Sequence, residues 1–220
     1  MVEYEERFSA TLHAELDLAR FPFDTQLLEL EFQSFLWDIG DTVFVSNEER
    51  TGFDPDFRTP EWFVKGTTAS VDQRFEIRDD RAFSTYTFRI IAERQAGHYV
   101  MRFLIPLMFV MALTWSAFWM PAGPRIRVGF VALLTVVASH TVISGNLPRL
   151  NYPTFADIVL MVCYLYVTVL IVVSLKVQHL EESDEDGSDE QARTINAWTR
   201  WALPVAAMLA FSAAVLVLWF

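Results

Sequence analysis

The sequence predicts an all-β domain, forming part of a sandwich, followed by a bundle of four transmembrane helices. Apolar residues make up 53% of the 220 residues, and nearly all long apolar runs lie after residue 100. The first hundred residues instead alternate apolar and polar side chains and carry charges at short intervals. This contrast predicts a polar domain at 1–99 and a membrane domain at 100–220.

Short alternating segments in the polar half predict strands that have one buried face. They include residues 9–18, 28–32, 63–68 and 85–91. Turn-forming residues separate them at 21–24, 38–41, 53–56 and 78–80. About five short strands with this spacing are typical of part of a β-sandwich.

Four apolar segments in the second half are long enough to cross a membrane, at 101–120, 126–147, 155–178 and 198–220. About 20 residues, at a rise of about 1.5 Å each, span a hydrocarbon core of about 30 Å. Pro106 lies early in the first segment, where its missing N–H costs least. The second segment is interrupted by polar residues, among them Thr135, Ser139 and Thr141, which lipid disfavours.

Basic residues near the four segments predict their orientation. Lysines and arginines beside membrane spans collect on the cytoplasmic side. Five of them fall on the side opposite the polar domain: Arg125, Arg127, Lys176, Arg193 and Arg200. We therefore expect the polar domain and the C-terminus outside the cell. The linker at 179–197 is acidic and rich in serine and glycine, which predicts a flexible cytoplasmic loop.

The composition argues against several classes of function. A formal net charge of −11 disfavours a nucleic-acid partner, because phosphate binding needs a basic surface. Cys163 is the single cysteine, and the histidines at 13, 98, 140 and 179 lack the spacing of metal ligands, so no metal or cofactor is expected. No nucleophile, base and orienting group stand together, which disfavours an enzyme. A transporter is disfavoured because the sequence has no internal repeat.

Four stretches, in order along the chain, match one known pattern. Residues 21–26 (FPFDTQ) are similar to a loop between two strands, and residues 115–119 (WSAFW) to the end of a first membrane helix. Residues 134–138 (LTVVA) are similar to the middle of a pore helix, and 146–150 (NLPRL) with 154–157 to the loop that follows it. Together they resemble the prokaryotic pentameric ligand-gated ion channels of the Cys-loop receptor superfamily. The resemblance implies a homopentamer in a lipid bilayer that conducts inorganic ions and responds to a small-molecule agonist or to protons.

The resemblance extends from Glu6 to the end of the chain but begins partway through the family's extracellular domain. Roughly the first half of that sandwich has no counterpart here, and residues 1–20 show no signal peptide. We expect a sequence truncated at its start. The alternative is a subunit that cannot form an ordinary agonist pocket.

One stripe of the second helix has the spacing of a pore lining, in steps of three and four residues. Its members are Arg127, Val131, Leu134, Ala138 and Thr141. By similarity to the family, Leu134 is the hydrophobic ring that gates by expelling water; otherwise it is an ordinary apolar residue of an apolar helix. A ring of Arg127 side chains at the mouth favours anions. The alternative is that Arg127 extends to water or lipid headgroups and leaves the path free.

The resemblance also implies residues that couple agonist binding to the gate. In the family, the turn at Asp24, the segment at Arg94 and the loop at Pro148 and Arg149 meet at the membrane surface. We expect an ion pair between Asp24 and Arg94; each could instead be an ordinary solvated charge.

Three aromatic residues are candidates for an agonist site. Trp37 lies in a turn that contributes to that site in the family, and Phe75 and Phe83 flank the hairpin at 76–81 that covers it. Aromatic rings suit cationic amines through cation–π attraction, although aromatic residues in strands more often belong to the core. The main alternative for the whole chain is a non-conducting four-helix receptor or accessory subunit, or the remnant of a channel.

Overall fold

The computed structural model describes residues 6–7, 9–11, 14–54, 59–76, 80–145, 147–183 and 187–219. They form two compact units. The sheet unit contains the residues up to Asp17 and Asp24–Gln95; the helical unit contains Leu18–Phe23 and the chain from Ala96 onward. Several predicted features lie outside the described residues, at His13, Asn146 and residues 12, 55–56, 78–79, 184–186 and 220.

The sheet unit contains three antiparallel strands in the described residues. These are β1 (Thr25–Gln33), β2 (Trp62–Glu76) and β3 (Arg81–Arg94). Their order is β1-β3-β2, so that β3 is central. The register shifts between Val64 and Gly66, where β2 contains a bulge. The alternating segments at 28–32, 63–68 and 85–91 all fall within these strands, as their period of two residues predicted.

The two faces of the sheet differ in chemistry. Leu28, Leu30 and Phe32 of β1 lie opposite Ile90, Phe88 and Tyr86 of β3 and form an apolar face. The other face carries ion pairs between strands, in which Glu29 accepts from Arg89 at 2.6 Å and Glu31 accepts from Arg74 at 2.6 Å. The hydrogen bond from Glu29 raises the pKa of the Arg89 guanidinium above its ordinary value.

The prediction of about five strands was wrong for the described part of the chain. Residues 9–11 and 14–18, predicted as a strand from their alternation, are not in a strand. At Asp17 the backbone N–H and carbonyl bond to the Gln26 side chain instead of to the backbone of a neighbouring strand. The Gln26 amide donates to the Asp17 carbonyl at 2.6 Å, and its oxygen accepts from the Asp17 N–H at 3.1 Å. Alternation of apolar and polar residues indicates a segment with one buried face, but a β-strand also needs backbone hydrogen bonds to a neighbouring strand.

The helical unit has four helices long and apolar enough to cross a membrane. They are α1 (Gly97–Trp119), α2 (Ala122–Ser144), α3 (Phe155–Glu181) and α4 (Ser188–Trp219). Thr154 and Asp157 form a reciprocal capping box at the start of α3. An antiparallel sheet followed by four such helices confirms the predicted fold class.

The observed helices extend beyond the predicted apolar segments, most of all at α4. That helix begins at Ser188 and α3 ends at Glu181, so much of the region predicted as a flexible loop at 179–197 is helical. Ala192 and Ile195 of α4 pack with Val177 and Leu180 of α3. These first turns of α4 are amphipathic and acidic on their outer face, so overall hydropathy did not reveal them.

Candidate functional site

Helix α2 is packed against the helical unit by one face. The buried residues on that face are Ala122, Arg125, Ile126, Gly129, Ala132, Val136 and Ile143. Ala132 joins an apolar cluster that includes Val167 and Leu170 of α3. At Gly129 the helices approach so closely that an added Cβ would lie 2.5 Å from Cγ1 of Ile171 and 3.1 Å from Cδ2 of Leu170. The backbone approach therefore requires glycine at this position.

The predicted pore stripe lies on the opposite side of α2. Its five members, Arg127, Val131, Leu134, Ala138 and Thr141, are all exposed in the single chain. Val131 is 65% exposed and Leu134 is 69% exposed. With about 3.6 residues per turn, the mean direction of this stripe is roughly half a turn from that of the buried face. The packing of α2 thus leaves the predicted stripe uncovered along the length of the helix.

The polar side chains that interrupt α2 are bonded mostly within the helix. Thr135 donates to the Val131 carbonyl at 2.9 Å, Ser139 to the Thr135 carbonyl at 2.9 Å, and Thr141 to the Val137 carbonyl at 3.1 Å. Hydroxyls that bond back to the preceding turn keep acceptor capacity for water without leaving a donor unsatisfied.

A further polar contact links α2 to α3. The hydroxyl of Tyr164 lies 3.3 Å from Nδ1 of His140. His140 therefore takes part in a polar contact between these two helices.

The close approach at Gly129 leads to a prediction about stability. We expect Gly129→Ala to destabilise the folded chain by about 1–2 kcal/mol, because the added methyl group would overlap with Ile171. Gly123→Ala is the matched control, since a Cβ there meets nothing within 4 Å and the exchange favours the helix. Thermal unfolding of the purified chain in detergent measures both. Equal midpoints for the two variants would contradict the close approach.

The predicted ion pair between Asp24 and Arg94 is present in the sheet unit. Arg94 Nε donates to Asp24 Oδ1 at 2.7 Å, and Nη2 donates to Oδ2 at 3.2 Å. The Asp24 side chain is only 2% exposed, and the Arg94 side chain is 8% exposed. Gln26 Nε2 donates to Asp24 Oδ2 at 2.6 Å, and the Arg94 guanidinium lies 4.2 Å from the centre of the Trp62 ring. This buried, bidentate pair is therefore well satisfied by its surroundings.

The same pair joins the two points where the chain passes between the units. Asp24 directly follows Phe23, the last residue of the helical unit's N-terminal segment, and Arg94 lies just before the chain re-enters that unit at Ala96. The Arg94 N–H also donates to the Asp24 carbonyl at 3.0 Å. Both crossings are thus tied by one ion pair and one backbone hydrogen bond. The role of the Asp24–Arg94 pair in gating stays a prediction.

The segment Leu18–Phe23 packs within the helical unit through residues that the sequence did not single out. The Phe21 ring contacts Tyr99 with centroids 4.7 Å apart, and the Phe155 N–H at the start of α3 donates to the Ala19 carbonyl at 2.8 Å. The Leu18 N–H donates to the Tyr152 hydroxyl at 3.1 Å. Aromatic residues are common at membrane interfaces, so nothing in the sequence distinguished Tyr99, Tyr152 and Phe155 from ordinary anchors.

Pro148 and Arg149, the other predicted coupling residues, are exposed within the helical unit. We expect them to meet Asp24 and Arg94, which belong to the sheet unit. That contact therefore stays a prediction.

The three candidate agonist residues do not share one surface. Trp37 is 58% exposed and Phe75 is 59% exposed, but Phe83 is 3% exposed. Phe75 pairs with Ala82, whereas Phe83 pairs with Arg74, so the two phenylalanine side chains lie on opposite faces of the sheet. Phe83 is therefore buried in this chain, and its assignment as a candidate for ligand contact stays a prediction.

Comparison with known proteins identifies relatives of the chain. It is 28% identical over 210 residues to the proton-gated ion channel of Gloeobacter violaceus, covering 95% of this chain and 58% of that protein. It is 25% identical over 169 residues to the gamma-aminobutyric acid receptor subunit beta-like of Drosophila melanogaster, covering 76% of this chain and 34% of that protein. No family model matches.

The chain thus spans less than two thirds of the length of either relative. The aligned region nevertheless covers almost the whole chain in the first comparison. The chain is therefore a homologue of these channel and receptor proteins, and its small sheet domain and four apolar helices fit a subunit of a pentameric ligand-gated ion channel.

Proposed function

We propose that the chain is a subunit of a homopentameric ligand-gated ion channel in which α2 lines the pore. One observation supports this most directly. The stripe from Arg127 to Thr141 is exposed on the side of α2 opposite the packed face, although much of it is apolar. A surface of this kind needs a partner or a water path, and five copies of one helix supply both. Because the chain is similar to an ion channel, we assign the exposed stripe to the wall of a water path.

Leu134 is the proposed gate. Its side chain is 69% exposed, and it lies midway along the stripe. Five leucine side chains directed at one axis would form a narrow apolar constriction, which expels water until the helices move apart. The flanking stripe residues, Val131 and Ala138, would extend this apolar section. Thr141 would line a wetter section towards the other end of α2.

Arg127 is the proposed source of anion preference. It is exposed on the stripe, whereas Arg125, two residues earlier, is buried. At about 5 Å in a medium of bulk dielectric, one unit charge repels a cation by about 0.8 kcal/mol, and five would give about 4 kcal/mol before screening. The Debye length at physiological ionic strength, about 8 Å, does not remove this effect at such short range.

Replacing Arg127 by glutamine tests the anion preference. In a Leu134→Ser background that conducts without agonist, we expect Arg127→Gln to move the reversal potential under a KCl gradient from the chloride towards the potassium equilibrium potential. Lys176→Gln, which removes an exposed charge from α3, is the control and should cause no shift. An unchanged potential in Arg127→Gln would mean that this side chain extends away from the ion path.

The proposed topology has the domain at 1–99 and the C-terminus outside the cell, and the acidic linker inside. It rests on the basic residues that flank the spans. The agonist would be a small molecule or protons, and Trp37 and Phe75 are two exposed aromatic residues that could contact a cationic ligand. A reconstituted pentamer that shows no conductance, even as Leu134→Ser, would favour a non-conducting receptor or accessory subunit.

A further inference from the structure

A buried arginine lies at the same end of α2 as Arg127. Arg125 is only 1% exposed, and it donates from Nη1 to Asn196 Oδ1 of α4 at 2.8 Å and from Nη2 to the Met120 carbonyl at 3.1 Å. Its guanidinium carbon lies 5.0 Å from the centre of the Phe118 ring near the end of α1. Contacts from two other parts of the helical unit therefore hold this side chain in one place.

None of these partners neutralises the charge of Arg125. An amide oxygen, a backbone carbonyl and an aromatic ring attract a cation without carrying a full negative charge. Among the residues that the structure describes, no carboxylate forms an ion pair with Arg125, and its Nε is buried without a hydrogen-bond partner. Glu181 attracts Arg125 only from beyond ion-pair distance, and Arg200 repels it. Arg125 thus keeps a buried positive charge, which lowers the free energy of unfolding.

Asn196 is the partner that the smallest change would turn into a neutralising one. Aspartate has the same shape and number of heavy atoms as asparagine, and its carboxylate would form a charge-assisted hydrogen bond with Arg125 at the position of Oδ1. The chain instead has the neutral amide, which leaves the buried charge uncompensated. Local choices that lower stability are expected mainly at functional sites. The amide at this position therefore indicates that the uncompensated charge of Arg125 has a function.

We propose that Asn196 is a positioning residue that sets the ion preference, because it holds Arg125 in place without neutralising it. The inference rests on the proposed function, in which α2 lines the pore of a pentamer. Arg127 would form an inner ring of positive charge at the pore mouth, and Arg125 would form a second ring behind it, since the two positions differ by about 200° around α2. Asn196 lies on α4 and acts on the ions only through Arg125.

Burial lets the charge of Arg125 act at a distance. Exposed charges near this end of the helices, such as those of Lys176, Glu181 and Glu182, are surrounded by water and salt, where the Debye length is about 8 Å. A buried charge is screened much less. The Coulomb energy varies inversely with distance, and the width of a helix, about 10 Å, separates Arg125 from the stripe. We therefore expect a weaker effect on the ions from Arg125 than from Arg127.

Asn196→Asp tests the inference in the Leu134→Ser background, which is expected to conduct without agonist. The new carboxylate should neutralise Arg125 and move the reversal potential under a KCl gradient towards the potassium equilibrium potential, by about half the shift that Arg127→Gln causes. The same variant should raise the thermal unfolding midpoint in detergent, because the buried charge gains a partner. A residue with a structural role alone would change the midpoint without moving the reversal potential.

Gln191→Glu is the matched control. It makes the same exchange of amide for carboxylate at an exposed position of α4 and should leave the reversal potential unchanged. Arg125→Gln removes the buried charge itself and should cause the same shift as Asn196→Asp. It therefore answers the question if the aspartate variant does not fold.

Failure of this inference and failure of the proposed function give different results. If Arg127→Gln shifts the reversal potential and Asn196→Asp conducts without a shift, the inference is overturned and the channel function stands. Equal shifts in Asn196→Asp and Gln191→Glu would overturn it as well, because any added negative charge would then have the same effect. Absence of conductance in Leu134→Ser would overturn the proposed function and the inference together.

Discussion

Replacing Leu134 by serine is expected to produce a channel that conducts at rest. A leucine side chain gains roughly 2 kcal/mol on leaving water, so a ring of five could oppose hydration of the constriction by as much as roughly 10 kcal/mol. Serine removes nearly all of this term and offers a hydroxyl to water. The closed pore should then fill without a change in agonist, and resting current in planar bilayers should rise well above that of the unmodified chain.

The control for Leu134→Ser is the same exchange on another exposed leucine. Leu165 on α3 is 61% exposed, close to the 69% of Leu134, but it belongs to a different helix. We expect Leu165→Ser to leave resting current unchanged. Resting currents that are equal in the two variants would remove Leu134 from the gate while leaving the fold intact.

The sequence could predict which side of α2 is left exposed, because the predicted stripe and the buried face follow the same helical period; that the stripe lines a pore stays a prediction. Leu134 and Val136 are both apolar, yet they differ by 200° around the helix at about 100° per residue, and only Val136 is fully buried. The stripe was predicted from spacing and family resemblance. The structure adds the packing of Gly129 on Ile171, which indicates independently which side is covered.

Other features depended on contacts that no periodicity reveals. Arg125 and Arg127 were counted together as basic residues of one membrane face, but Arg125 is buried and donates to the Met120 carbonyl just after α1, whereas Arg127 is exposed. Phe83 and Phe75 flank one hairpin, and the register of β2 and β3 sends them to opposite faces. In both cases a shift of one or two residues decides between burial and exposure, and that shift is fixed by tertiary partners.

Arg94→Gln is expected to have the largest effect on stability in the sheet unit. The change leaves the Asp24 carboxylate, 2% exposed, without its bidentate partner and with the Gln26 amide as its remaining side-chain donor in the contacts described. Removing one member of a buried pair costs about 3–5 kcal/mol. For a chain of this size, each kcal/mol lowers the unfolding midpoint by about 2–4 °C, so we expect a fall of about 10 °C.

The control removes an arginine from an exposed ion pair in the same sheet. Arg74 and Glu31 are separated by 2.6 Å, with side chains 54% and 41% exposed, and Arg74→Gln should cost less than about 1 kcal/mol. The double variant Asp24→Asn with Arg94→Gln should be more stable than the sum of the single effects, since neither partner then keeps an unpaired charge. If Arg94→Gln and Arg74→Gln lowered the midpoint equally, burial would not strengthen this pair. The two chain crossings would then be held by the backbone hydrogen bond and the packing of Arg94 on Trp62 instead.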